Sequence, residues 1–155
     1  MRILLIHANF LEFELKQPTP AAEDVSPDMR SGRLDEVLVV FTTVEREDEE
    51  NPDAVARRAA SEISEVARKV EAQRVAIYPY AHLSQSLASS KAAIKLLDDT
   101  AGKLKELGIE THRLPFGWYK AFTINCKGHP LSELSRTITV DAAEAEGRIQ
   151  EGIPS

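Results

Sequence analysis

Two strongly β-branched runs flank a capped amphipathic helix, and this arrangement constrains the fold more than any other feature of the chain. Residues 37–44 read VLVVFTTV, a strand by β-branched content. Residues 75–80 read VAIYPY, a short strand broken by Pro79. Between them, Asn51-Pro52-Asp53 is a helix start. Asn51 can cap, Pro52 suits the first helical position, and Asp53 favours the positive end of the helix dipole. Val55, Ala59, Ile63, Val66 and Val70 then recur at helical spacing, giving one apolar stripe to about residue 72.

The other elements arrange themselves around this unit. Residues 3–6 are a continuous apolar run, as expected for a strand covered on both faces. Residues 10–16 (FLEFELK) alternate apolar and charged, which predicts a half-exposed strand hairpinned to the first. Residues 17–32 hold three prolines and a glycine and read as an irregular excursion. The acidic run 45–50 reads as a solvated loop. A second helix is expected over residues 90–107, with Ala93, Leu97, Leu104 and Leu107 inward and Gly108 as its C-terminal cap. Residues 109–114 and 119–126 read as the last two strands, and 131–135 as a short helical turn. The predicted class is therefore α/β, a β-sheet layer covered by two long helices. The Ala/Glu-rich residues 141–155 read as a tail that is helical, a linker or disordered.

Composition narrows the function classes. A chain of 155 residues suits one domain and can bury a real core. The start, MRILLIHANF, has no basic n-region and no small-residue cleavage site, so it reads as a strand and not a signal peptide. No apolar run approaches the roughly 20 residues needed to cross a bilayer. Cys126 is the single cysteine, which points to a reducing cytoplasm. There is no zinc-spaced Cys/His cluster, no G-x-G-x-x-G after the first strand and no P-loop, so metal, dinucleotide and P-loop chemistry have no support. The net charge of -6 argues against a nonspecific nucleic-acid coat but leaves room for a local basic contact. Such a segment exists: between His112 and Arg136, the cations Arg113, Lys120, Lys127 and Arg136 face Glu133 alone.

Several residues can carry chemistry, and most have a bland reading beside the sharp one. His82 follows a strand end in YPYAHLS, where ligand sites gather, and can act as a general base or simply cap the next helix. Alternation puts Lys120 on the face of Phe122, Ile124 and Cys126, where it either snorkels to water or rims a pocket. Cys126 is a nucleophile only with a lowered pKa and a paired base; otherwise it is a packed or rim thiol. Glu133 can pair with a nearby cation or bind an ammonium group. His7 reads as a satisfied edge histidine and His129 as part of the Gly-His-Pro turn.

Taken together, MRILLIHANFLEFELK, EVLVVFTTVE, YPYAHLS, PFGWYKAF and CKGHPLSELSRT closely resemble the N-terminal editing domain of archaeal threonyl-tRNA synthetases, over roughly residues 1–140. The resemblance implies a D-aminoacyl-tRNA deacylase-like fold, with residues 1–140 as the editing domain and 141–155 as a tail or linker. It implies a proofreading hydrolase that removes L-serine mischarged onto threonine tRNA, with the 2′-hydroxyl of the tRNA assisting and no cofactor. D-aminoacyl-tRNA deacylation and noncatalytic binding of the tRNA 3′ end are the alternatives. The implied partners are the aminoacylated 3′ end of tRNA(Thr), a second copy of the chain, and the remainder of a synthetase or a separate catalytic synthetase, in the cytoplasm and without a membrane. The aminoacylation and anticodon-binding parts of a full synthetase have no counterpart in these residues, which fits either an excised domain or a shortened editing protein.

Carried over position by position, the resemblance gives catalytic roles to Lys120, His82 and Glu133. Pro79, Tyr80 and Ala81 would hold substrate through their backbone. Phe116, Gly117, Trp118 and Tyr119 would line the pocket, with Cys126 at its rim. Val44 would be the wall that meets the extra methyl of threonine. Trp118 stands where a tyrosine or similar aromatic is expected, which bears on adenine stacking and not on the chemistry.

Overall fold

A computed structural model of the chain describes residues 1–140. The expectations for residues 141–155 lie outside the described residues. Strand β1 (Arg2–Pro18) is followed by β2 (Ser31–Thr43), helix α1 (Pro52–Lys69), β3 (Arg74–Pro79), helix α2 (Ser90–Glu106), β4 (Glu110–Arg113), β5 (Trp118–Cys126) and β6 (Glu133–Thr137). The sheet order is β4-β3-β2-β1-β5, and β6 also pairs with β1. The β2–β3 and β3–β4 pairs are parallel and the pairs made by β1 are antiparallel. The α/β class and the helix-covered sheet agree with the sequence.

Local chemistry explains the helices. The Asn51 side chain accepts from the Ala54 amide at 3.3 Å, with Pro52 as the first helical residue; such a cap contributes about 1 kcal/mol. Val55, Ala59, Ile63 and Val66 are buried as the spacing requires. They pack with Ala93, Leu96, Leu97 and Leu104 of α2 over Ile3, Leu5, Leu38, Val40, Val75 and Ile77 of the sheet. Leu107, expected inward, is 49% exposed because α2 ends at Glu106.

Several expectations are corrected. The two predicted N-terminal strands are one 17-residue strand, β1. Its register against β5 shifts between Ala8 and Phe10, leaving Asn9 as an extra residue. The shift changes parity: Leu4, Ile6 and Ala8 lie on the helix-free face before it, and Leu11 and Phe13 after it. A sequence reading sees two patterns where the chain has one bulged strand. Residues 131–135 do not form a helical turn: a turn closes at Ser132 N–H to His129 O, 3.0 Å, and β6 then pairs with the start of β1. The acidic run is solvated only in part: residues Arg46–Glu50 form a 3-10 turn in which Glu47, Glu49 and Glu50 are exposed. Asp48 is buried and accepts from the Met1 amine at 2.8 Å and from the Glu45 amide at 2.7 Å, while Glu45 accepts from Ser84 Oγ at 2.6 Å.

The sheet curls, and the curl creates the site. Phe122 on β5 and Tyr78 on β3 are three strands apart, about 14 Å in a flat sheet. Their ring centroids nevertheless lie 5.4 Å apart, and Phe122 is 5.7 Å from Phe41 of β2. The edge strand β5 has folded over the helix-free face.

Candidate functional site

A cavity of about 520 Å³ opens between the C-terminal end of β3 and the start of β5. Its floor is aromatic, with Tyr78 and Phe122 in edge-to-face contact. One side is the 79–82 junction. Here Tyr80 N–H donates to Thr42 O at 2.9 Å, and Thr43 Oγ1 donates to Tyr80 O. His82 is exposed at the rim, edge-on to Tyr80 with centroids 5.0 Å apart. The opposite side is the 116–120 segment, where Gly117 has φ +83°. Only glycine fits there: a Cβ would stand 2.6 Å from Ala22 Cα.

The residues expected to be an irregular excursion form a strap that holds this wall. Both Thr19 N–H and Thr19 Oγ1 donate to Gly117 O at 2.8 Å, and Glu23 N–H donates to Phe116 O at 3.0 Å. Phe116 N–H donates to Glu23 Oε1 at 2.7 Å, Arg113 Nη2 to Glu23 Oε2 at 2.8 Å, and Trp118 Nε1 to Glu23 O at 2.8 Å. The Arg113 hydrogen bond, helped by the Phe116 amide, holds the Glu23 carboxyl below its ordinary range despite partial burial.

Lys120 is the cation of the cavity. Its Nζ lies 4.9 Å from the Tyr78 ring centroid and donates to Trp118 O at 3.4 Å. Burial pushes its pKa down to about 8; Glu23 opposes the fall and Arg113 adds to it. Between the two sequence readings, rim of a pocket and snorkelling stem, this position matches the first. Burial, helped by the neighbouring Tyr80, also pushes the Tyr78 phenol up to about 12, so it stays protonated at neutral pH. The hydroxyls of Thr19, Thr42 and Thr43, which all line the cavity, donate to the backbone carbonyls of Gly117, Val40 and Tyr80.

Val44, residues 79–82 and residues 116–120 all line this cavity. Cys126 and Glu133 do not. They sit at the other end of β5, where Cys126 Sγ lies 3.5 Å from Ser132 Oγ and 3.8 Å from Glu133 Oε1. Beside them His7 Nδ1 and His129 Nε2 are 2.7 Å apart. Leu131 N–H donates to His129 Nδ1 at 3.1 Å, so the network assigns the proton to His129 Nε2, which donates to His7. Burial, then the nearby His129 and Lys127, lower the His7 pKa. No group of three or more metal-ligating side chains occurs among the described residues.

Sequence reasoning missed Thr19, Ala21 and Glu23 on the strap and Thr42, Tyr78 and Phe122 on the floor. The Tyr78–Tyr80 aromatic pair was a usable signal. Glu23 had none, since its partner Arg113 lies 90 residues away.

A search of solved structures gives a protein described as c-Myc DNA unwinding element binding protein, with TM-score 0.59 and 8% identity over 90% of this chain and all of that one, a likeness of fold. Among curated proteins, the threonine–tRNA ligase of Methanothrix thermoacetophila is 56% identical over 93% of this chain, and that of Thermococcus gammatolerans 53% over 89%. The ligase of Methanobrevibacter smithii is 50% identical over 91%. The chain spans 22–23% of the length of these relatives. A family description, the archaea-specific editing domain of threonyl-tRNA synthetase, matches residues 1–138. With that match over nearly the whole chain and relatives at 50–56% identity, the protein belongs to the archaea-specific editing-domain family of threonyl-tRNA synthetases.

Proposed function

We propose that this domain hydrolyses the ester of L-serine mischarged onto threonine tRNA, using water and the 2′-hydroxyl of the terminal adenosine. The observation that carries this reading is a desolvated lysine, Lys120, in one cavity with the backbone of the 79–82 junction. With a pKa of about 8, its ammonium is mostly charged at neutral pH. In a desolvated site it stabilises the oxyanion that forms as water adds to the ester carbonyl. The bond to the 3′ oxygen then breaks, and the proton from water reaches that oxygen through the neighbouring 2′-hydroxyl. The threonine hydroxyls of the cavity donate to backbone carbonyls and not to a side-chain base, which favours water over a covalent protein nucleophile.

Discrimination follows from size in an unusual direction. Serine is the smaller amino acid, so the pocket rejects threonine by the one methyl it adds. Val44, 6% exposed in the cavity wall, is the residue to meet that methyl. A methyl decides roughly 1–3 kcal/mol. His82 and Trp118 at the rim suit the terminal adenosine, and Tyr80 and Ala81 offer backbone groups to the substrate.

The same reading includes a homodimer and a catalytic synthetase, in the same chain or separate, in the cytoplasm. The edge strand β5 carries Tyr119, 63% exposed at the cavity rim, and a second copy can pack beside it. Among the described residues no helix is long and apolar enough to cross a membrane. Glu133 lies outside the cavity of its own protomer, so its proposed catalytic role requires the surface of another copy.

The test is deacylation of L-seryl-tRNA(Thr) against L-threonyl-tRNA(Thr). Much faster release of serine is expected; equal rates, or no release of either, overturn the reading. Fast release of D-amino acids from several tRNAs replaces it with D-aminoacyl-tRNA deacylation. A terminal 2′-deoxyadenosine is expected to abolish turnover while leaving binding largely intact. Unchanged turnover removes the hydroxyl from the mechanism.

A further inference from the structure

We propose that Glu23 is the positioning residue of this cavity, tying its 116–118 wall to β4 through Arg113 and supplying the negative charge that balances Arg113 beside Lys120. The part concerning catalysis rests on the function proposed above; the part concerning Lys120 does not.

The geometry gives Glu23 more partners than a surface carboxylate needs. Its two carboxylate oxygens accept from Arg113 and from the Phe116 amide, and its carbonyl accepts from the Trp118 indole. Arg113 is fixed from behind, with Nε 2.6 Å from Asp98 Oδ1 of α2. One line of charge therefore runs from α2 through β4 and the strap to the cavity wall. The pair nearest the cavity is shielded, with the Arg113 and Glu23 side chains 17% and 23% exposed, while Asp98 at the outer end is 54% exposed. A partly buried pair of this kind holds its geometry where an exposed one would not.

The second consequence is electrostatic. Lys120 Nζ donates to the carbonyl of Trp118, whose indole donates to Glu23 O, so the strap reaches the ammonium through one residue; of the charged groups acting on it, Arg113 disfavours the ammonium and Glu23 favours it. Asp98 stands behind Arg113, Tyr78 lies beneath the ammonium, and Tyr80, His82 and Tyr119 complete the titratable lining. Remove the Glu23 charge, and Arg113 keeps Asp98 as its partner, while Lys120 loses the one carboxylate that favours its ammonium.

Two variants separate the roles. Glu23→Gln keeps an acceptor for the Phe116 amide and removes the charge. NMR titration of the Lys120 side chain in the full protein is expected to show a midpoint lower by roughly one pH unit, with the Trp118 indole resonance unmoved. An unchanged or raised midpoint overturns the electrostatic role; a rise is what a merely opened, hydrated wall would give. Glu23→Ala is expected to shift the Trp118 indole and speed hydrogen exchange at Phe116, and native values for both overturn the positioning role. In deacylation, Glu23→Gln is expected to lose more rate at pH 8 than at pH 6, with Glu23→Asp recovering part of it. If the titration behaves as expected but no seryl-tRNA is hydrolysed at any pH, the proposed reaction fails and the role of Glu23 stands.

Discussion

The two ends of β5 carry similar chemistry in very different settings. At its start stand Lys120 and, across the curl, His82; past its end come Cys126, Glu133, His129 and His7. Lys120 and Cys126 are about 20 Å apart along the strand. The first end is concave, floored by aromatic rings and backed by a strap, so its lysine is desolvated. The second is open, with Cys126 and Glu133 exposed and the histidines bonded to each other. A charged group gains leverage on a reaction when water is excluded around it. Residue type alone, which is all a motif records, does not separate the two ends.

The difference can be broken by experiment. The largest effect is expected from glycine: Gly117→Ala places a Cβ against Ala22 at positive φ and is expected to cost about 3 kcal/mol. Gly128→Ala, also at positive φ but in open space, is expected to cost about 1 kcal/mol. Equal costs in chemical denaturation would mean that the strap does not hold the wall. Next, Lys120→Met is expected to lower kcat for seryl-tRNA hydrolysis about 100-fold with no loss of thermal stability, since a desolvated ammonium is removed. Wild-type kinetics would make Lys120 a packing residue only. Cys126→Ala is expected to leave substantial activity, and total loss in a folded variant would restore a covalent mechanism. Glu133→Gln is expected to cost less than Lys120→Met; an equal loss would show that the two ends meet across a second copy.

The smallest effects are in pH, and they fall in opposite windows. The folded-state pKa of Lys120 is lowered from 10.5 to about 8. The unfolded chain therefore binds more protons between those values, and stability is expected to rise with pH across them. The His7 pKa is lowered below 6.5, so its contribution is present above that value and is lost as pH falls through and below it. Amide resonances around Lys127 and Ser132 should report the acid change and those around Trp118 the alkaline one. A single transition seen at both ends would merge what the geometry separates.

Much of the fold was legible because local rules agreed with tertiary ones. The Asn51-Pro52-Asp53 start, the α1 stripe and the Gly108 cap act within a few residues, so the sequence displays them directly. The expectations for β1 and for part of the acidic run failed for long-range reasons. A bulge at Asn9 broke the alternation, and a buried Asp48 found its partner in the Met1 amine 47 residues away. The candidate site was legible as motifs but not as a shape. YPYAH and PFGWYK lie on strands that are not neighbours, and only the curl brings them to one cavity.

The sequence by itself determined the family, the helices, the buried strands and the inventory of candidate groups, because these follow from short-range periodicity and from long ordered motifs. Tertiary structure alone decided which groups share a desolvated space. Lys120 became a perturbed cation and Glu23 its counterweight, while Glu133 and Cys126 were left in solvent at the far end of β5. The physical reason is that desolvation and charge pairing depend on distance through space, and a curled sheet sets those distances without any mark in the local sequence.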